Sequence, residues 1–237
     1  RYYLQRDGDY FVLESSDAKH KFAGILGIKL ENIAVVGNTY SSVFDNKQLL
    51  QTNNRNYIQL PEKQGDEFRF VYIAHNHVSK NLRVINEVLP FLKEYNIKFV
   101  LTIEQPDFLS LFTKFRDKII NLGSVSLKSC PSVYHQCDAL FAPTLLETFS
   151  AAYPEAMKMG LPILTSDYTF AKDICADTAL YFDPLDPNDI VEKITNIINN
   201  KKLSKKLTDK GYKRLNSFET ARSRAEKYIE ICHNLCR

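Results

Sequence analysis

Residues 139–164 read ALFAPTLLETFSAAYPEAMKMGLPIL and place Glu147 and Glu155 eight positions apart. The apolar run Ala139–Ala142 ends at Pro143 and reads as a strand, followed by a short polar loop. Ser150–Lys158 reads as a helix stopped by Gly160, and Ile163–Thr165 as the next strand. A helix start offers unpaired backbone N–H groups and a positive dipole end, both suited to phosphate. Carboxylates beside such a site repel phosphate and are better matched to hydroxyl groups. The unit therefore points to a sugar phosphate or a nucleotide sugar as ligand.

Outward from this unit, strands and helices alternate. Phe68–Ala74 is a nearly continuous apolar run, of the kind buried on both faces of a parallel sheet. Leu82–Tyr95 has helical periodicity, with Leu82, Ile85, Leu89 and Leu92 on one face and Pro90 expected to kink it. Ile97–Thr102 and Ile119–Leu122 read as strands, Phe108–Phe115 as a short helix and Val133–Cys137 as a helical turn. Thr169–Cys175 reads as a helix and Ala179–Phe182 as a strand, and three helices follow at Asp189–Ile198, Leu203–Asn216 and Thr220–Leu235. The chain opens with a strand at Tyr10–Leu13, a helix at Asp17–Leu26 and a strand at Ile33–Val36. This order predicts an α/β fold, a Rossmann-like parallel sheet flanked by helices. Ligands of such sheets bind beyond the carboxyl ends of the strands, so the loops after Ala74, Gly123, Ala142 and Thr165 should share one rim.

The E-x7-E spacing is followed in order by Ala156-Met157-x-x-Gly160-x-Pro162-Ile163, by Ser166-Asp167 and by the run Ala179 to Pro184. This ordered series resembles the retaining glycosyltransferases of the two-domain GT-B fold, the group 1 or family 4 type, over roughly residues 33–218. The resemblance implies the C-terminal, donor-binding domain of that fold with a remnant of the N-terminal domain. Residues 1–37 would end the N-terminal acceptor domain, 38–216 would bind the nucleotide sugar, and 217–237 would form the helix that crosses back. It also implies transfer of a sugar from a nucleoside-diphosphate sugar to an acceptor hydroxyl with retention, in glycan or polysaccharide biosynthesis. The acceptor would be a saccharide or a lipid-linked one, and no metal would take part.

By the same resemblance, a basic residue and a Lys five positions later hold the donor diphosphate. Lys80 matches the Lys, and His75 stands where Arg is usual. Arg is always charged and forks onto two oxygens, whereas His is charged only in part near neutral pH. His77 in the same loop reads as structural. The family's usual Glu-Gly-Phe-Gly is here Glu147-Thr148-Phe149-Ser150. Thr148 and Ser150 replace two glycines and add hydroxyls able to bond phosphate or cap the helix, Ser150 being the expected N-cap. The resemblance turns Glu147 toward the transferred sugar, gives Glu155 the ribose hydroxyls and lays Val125 and Ser126 against the base. Thr144 and Leu146 are further candidates for the pocket wall.

Bulk properties narrow the alternatives. The 237 residues are 44% hydrophobic and 25% charged with net charge +3, which gives no footprint for nucleic acid. No apolar run approaches the ~20 residues that span a bilayer. The cysteines at 130, 137, 175, 232 and 236 are odd in number and irregularly spaced, which fits reduced thiols in a cytoplasmic protein. Cys232 and Cys236 lack the further ligands a zinc site needs. Asp7-Gly8-Asp9 reads as a hairpin or surface turn rather than a metal-binding D-x-D pair. The lysines of 201–214 read first as a solvated helix face, with peripheral contact to acidic lipid as the alternative. A dinucleotide domain is disfavoured because no G-x-G-x-x-G occurs. A nucleotide-sugar-binding module, and an epimerase or phosphorylase of the same fold, remain as rivals.

Overall fold

The computed structural model describes Leu4 and residues 7–236. Its centre is a six-stranded, all-parallel sheet of β3 (Phe68–Tyr72), β4 (Ile97–Leu101), β5 (Ile119–Asn121), β6 (Ala139–Ala142), β7 (Ile163–Ser166) and β8 (Ala179–Phe182), in the order β5-β4-β3-β6-β7-β8. The chain leaves β3 for β4 and β5, then returns across it to β6. The connections after β3 and β6 therefore diverge, and a crevice opens at this switch point. Phe70, Val71 and Tyr72 of β3 and all of β6 are buried, as both-face burial requires. The Phe70–Phe99 rings of adjacent β3 and β4, with centroids 5.3 Å apart, and the Phe99–Phe141 and Phe141–Phe182 rings, 5.3 and 5.5 Å apart and each reaching past an intervening strand, tie the sheet into one core.

A smaller unit precedes the sheet. β1 (Phe11–Leu13) and β2 (Ile33–Val35) pair in parallel around α1 (Ser16–Leu26). Ser15 caps α1 by accepting the Ala18 N–H, and Gly27 closes it in the left-handed region at φ 70°. The buried residues of this unit, Ala23, Leu26, Ile33 and Val36, stand outside the contiguous core of the large sheet. Polar bonds join the two parts. Ser15 Oγ donates to the Thr148 carbonyl at 2.9 Å, Asp17 N–H to Asp173 Oδ2 at 2.9 Å, and Lys21 Nζ to Thr169 Oγ1 at 2.7 Å.

The remaining helices are α2 (Val84–Val88), α3 (Gln105–Leu111), α4 (Cys130–His135), α5 (Ala152–Lys158), α6 (Thr169–Cys175), α7 (Pro187–Asn199), α8 (Lys201–Leu215) and α9 (Ala221–Leu235). No helix of the described residues is long and apolar enough to cross a membrane. Thr220 opens α9 with a reciprocal cap to Ser223, and Arg224 reaches back to Asn38 Oδ1 at 2.6 Å.

Several expected elements differ. The helix expected over Leu82–Tyr95 is α only from Val84 to Val88 and tightens to a 3-10 turn at Leu89–Phe91. Pro90 supplies no N–H and excludes the regular carbonyl partner, so the helix ends rather than kinks. Its apolar face is as expected, with Leu82, Ile85, Leu89 and Leu92 all buried. The helix expected over Phe108–Phe115 lies earlier, at Gln105–Leu111, because Pro106 sits in its first turn and the backbone leaves helical geometry at Phe112, ψ 87°. Asp7-Gly8-Asp9 is not a hairpin. Asp7 is helical, Gly8 N–H donates to the Leu4 carbonyl, and the strand that follows pairs in parallel.

Candidate donor-binding cleft

The loops after β3 and β6 meet at the switch point. In the first, Val78–Lys80 forms a 3-10 turn whose cap is His77, accepting the Ser79 N–H at 3.2 Å. His77 is thus structural. Asn81 turns the chain at φ 51° and ties it to the Pro184 carbonyl at 3.0 Å. Leu145 N–H donates to the Ser79 carbonyl at 2.7 Å, which pins the second loop against the first. The two loops also share an ion pair between Lys80 and Glu147, each about one-fifth exposed.

A cleft of about 320 Å³ opens beside this pair. His75, Lys80, Glu147, Phe149, Ser150 and Glu155 all line it, so the structure brings together residues spread over 81 positions, from 75 to 155. His75 is exposed and makes no hydrogen bond among the described residues. Tyr72, Cys130 and Leu127 complete much of the wall and were not anticipated. Tyr72 closes a strand whose loop was singled out, so its place at the rim was within reach of the sequence. Cys130 and Leu127 carried no such signal. A recess of about 360 Å³ lined by Asn76, His77, Arg83 and Ser110 holds neither glutamate and none of the expected site residues.

Other expected residues lie elsewhere. The Thr148 side chain is exposed and outside the cleft wall, while its carbonyl is held by Ser15. Val125 packs against the core, and Ser126 bonds Ser129 Oγ at 2.8 Å in a local turn; neither lines the cleft. Leu146 is exposed, and Thr144 is buried against the Tyr72 hydroxyl at 2.5 Å. Ser150 is not the N-cap. The helix begins at Ala152 after Ala151, with no side-chain cap, and Ser150 is buried against the cleft. The N–H groups of Ser150, Ala151 and Ala152 form no hydrogen bond among the described residues. A seven-residue helix sums few peptide dipoles, so these free donors matter more than its macrodipole. Neither Thr148 nor Ser150 has positive φ, so the backbone here does not demand the glycines they replace.

Glu155 sits on α5, where its Oε2 accepts a hydrogen bond from the Tyr134 hydroxyl at 3.1 Å. Burial pushes the Glu155 carboxyl up to about 7, against the pull of the Tyr134 hydrogen bond. Burial, then the Glu155 charge, pushes the neighbouring Cys130 thiol up to about 12, so this cysteine stays protonated. The cleft thus combines one lysine, one histidine and free N–H donors with two carboxylates of different character. Glu147 is paired with a cation, and Glu155 is half-buried and poised to change charge near neutral pH.

Among the described residues, no group of His, Cys, Asp and Glu side chains has the arrangement of a metal site.

The chain is similar to solved glycosyltransferase structures. A glycosyltransferase from Rickettsia africae ESF-5 aligns over 100% of this chain and 66% of its own, with TM-score 0.80 and 16% identity. HepE from Anabaena, solved in complex with UDP and glucose, aligns over 98% of this chain and 65% of its own, with TM-score 0.73 and 13% identity. A TarM variant from S. aureus, in complex with fondaparinux, alpha-GlcNAc-glycerol and UDP, aligns over 96% and 44%, with TM-score 0.70 and 15% identity. The chain therefore spans less than two-thirds of the length of each, and at these identities the likeness shows the fold, that of the GT-B C-terminal domain. No curated protein sequence gives a match. Residues 53–214 match the family described as glycosyl transferases group 1, and with most of its length so matched the chain belongs to that family.

Proposed function

We propose that this chain is the donor-binding part of a retaining, family 4 type glycosyltransferase that takes its sugar from a nucleoside diphosphate. The observation that carries this reading is the single cleft at the switch point in which Lys80, His75, Glu147, Ser150 and Glu155 converge. Lys80, His75 and the free N–H groups of Ser150–Ala152 neutralise the charge that grows on the leaving diphosphate, without a metal. Glu147 faces the transferred sugar, and Glu155 accepts from the ribose hydroxyls. The acceptor hydroxyl attacks the face that the diphosphate leaves, and the leaving phosphate takes its proton.

The separate core of the leading unit supports a division near residue 37, and the Arg224 ion pair with Glu14 of that unit, at 3.5 Å, supports α9 as the returning segment. Unpaired, buried Cys130, Cys137 and Cys175 fit a cytoplasmic location. Glycan or polysaccharide assembly on a saccharide or lipid-linked acceptor completes the proposal, with the exposed lysines of α8 available for peripheral contact with acidic lipid. The test is calorimetry of the chain with UDP, GDP, ADP and dTDP. Binding of at least one, weakened on Lys80→Ala, is the expected result, and absence of binding by all four removes the reading.

Two further outcomes follow from the site. Glu147 neutralises Lys80 before any ligand arrives. Glu147→Gln is therefore expected to tighten nucleoside diphosphate binding about threefold to tenfold, a gain of ~1 kcal/mol of the size carried by partly exposed ion pairs. An unchanged or weaker dissociation constant would show that Lys80 does not turn to the diphosphate.

Glu155 gives the second. Burial raises its carboxyl to about 7 in the fold, from the 4.5 of an ordinary glutamate. The neutral form is thus favoured by folding. The associated stability is complete below about pH 4.5 and is lost as pH rises through about 7. Glu155→Gln stays neutral, so it should unfold at the same temperature as the parent near the acid end of that window. Above it, the variant should be more stable by about 1–2 kcal/mol, after discounting for partial exposure. Nucleotide affinity should move the other way, about tenfold weaker at high pH, because the amide loses the charge that strengthens a bond from a hydroxyl. Thermal unfolding and calorimetry across this range check both, and a variant less stable than the parent at high pH would contradict the burial argument.

A further inference from the structure

Tyr134 lies on α4, the helix that leads into β6, and its side chain is fully buried. The Phe44 ring meets it edge-on with centroids 5.7 Å apart, which restricts the phenol's tilt. Its hydroxyl donates to Glu155 Oε2 at 3.1 Å, and among the described residues neither side chain has any other hydrogen bond. Cys130, at the start of the same helix, lines the cleft with Glu155. The phenol is thus a fixed donor on the protein side of a carboxylate whose other oxygen has no protein partner. A buried tyrosine needs a partner for its hydroxyl, and a half-buried carboxylate needs a donor. Each supplies the other, and the bond leaves Oε1 for a ligand.

We infer that Tyr134 is a positioning residue for nucleoside recognition: its hydroxyl holds the Glu155 carboxylate at the cleft wall, with one oxygen committed to the protein and one left for a ligand diol. This rests on reading Glu155 as the acceptor for the ribose hydroxyls. The titratable groups around Glu155 are Tyr134 and Cys130 from α4 and Tyr72 from β3. Across the cleft lie His75 and Lys80 from the loop after β3 and Glu147 from the loop after β6. Among the described residues, only the Tyr134 hydroxyl bonds the Glu155 carboxylate. Burial drives the Glu155 carboxyl up, and this hydrogen bond is the influence that draws it down.

Tyr134→Phe keeps the ring and removes the donor. The Glu side-chain carboxyl carbon, followed by 13C NMR in the ligand-free protein across a pH titration, should report a Glu155 midpoint near about 7 in the parent. In the variant the midpoint should rise by roughly one unit, the scale of one hydrogen bond to a charged group. UDP affinity at neutral pH should fall about fivefold to tenfold and recover to within about twofold two units higher, where the carboxyl is ionised in both proteins. Placing 3-fluorotyrosine at position 134, a stronger donor of nearly the same shape, should move the midpoint down and serves if Tyr134→Phe does not fold. A midpoint unmoved by either replacement overturns the inference. If UDP, GDP, ADP and dTDP all fail to bind the parent, the nucleotide reading falls and takes the diol role with it, while the ligand-free titration still decides whether Tyr134 holds the carboxylate.

Discussion

Arg69→Met is expected to cost the fold about 3–5 kcal/mol, read as a lowered urea midpoint, because it strands a buried carboxylate. Arg69 and Glu67 are each 3% exposed and meet at 2.6 Å near the amino end of β3. The guanidinium also donates to the Pro61 carbonyl at 2.6 Å. The Arg69 backbone exchanges two bonds with Asp138, 2.7 Å from its N–H to Oδ2 and 2.8 Å to its carbonyl from the Asp138 N–H. Removing the cation leaves Glu67 charged, buried and unpaired. Replacing both partners, Glu67→Leu with Arg69→Met, removes the stranded charge, so the double variant should return to within about 1–2 kcal/mol of the parent. A double variant as unstable as the single one would show that the Pro61 contact, not the ion pair, carries the cost. The pair lies at the opposite end of β3 from the cleft, so nucleotide affinity of the folded fraction should not change.

Lys80→Ala should weaken nucleoside diphosphate binding about 100-fold at low ionic strength, a loss of ~3 kcal/mol at the upper end for a bond to a charged group. Two effects combine. The lysine's own attraction for the diphosphate disappears, and Glu147, now without its partner, faces the incoming phosphates with an uncompensated charge. Both are partly screened because the pair is open to solvent, so the deficit should shrink several-fold at about 0.5 M salt. His75, exposed and without a hydrogen bond among the described residues, still lines the same cleft but has no second cation beside it there. Equal affinity of parent and variant at low salt would remove Lys80 from the diphosphate site.

The sheet was legible because its strands are continuous apolar runs punctuated by glycine, proline or polar loops, a pattern that burial on both faces enforces. Strand β8 and helix α6 fall where the sequence puts them, at Ala179–Phe182 and Thr169–Cys175. The misplacements cluster where a single backbone feature outweighs side-chain periodicity. Pro90 ends a helix whose apolar spacing runs on, and Pro106 starts one ahead of its apolar face. At the site, the family resemblance singled out the residues of the two loops that part at the switch point. The resemblance adds Val125 and Ser126 from the loop after β5, which the structure makes the edge strand, and neither lines this cleft. Tyr134 could not be read from the chain. It precedes Glu155 by 21 positions, and only the packing of α4 beside α5 brings the two together.

The junction between the leading β-α-β unit and the large sheet has a mechanical meaning. Water can stand in for every bond that Ser15, Asp17 and Lys21 make across it, whereas it cannot replace a continuous oily core, and among the described residues the two parts share none. Such a seam is lubricated: sliding along it swaps polar partners at little cost. Because Ser15 grips the Thr148 carbonyl next to Glu147, that compliance is delivered to the loop that carries the Lys80–Glu147 ion pair.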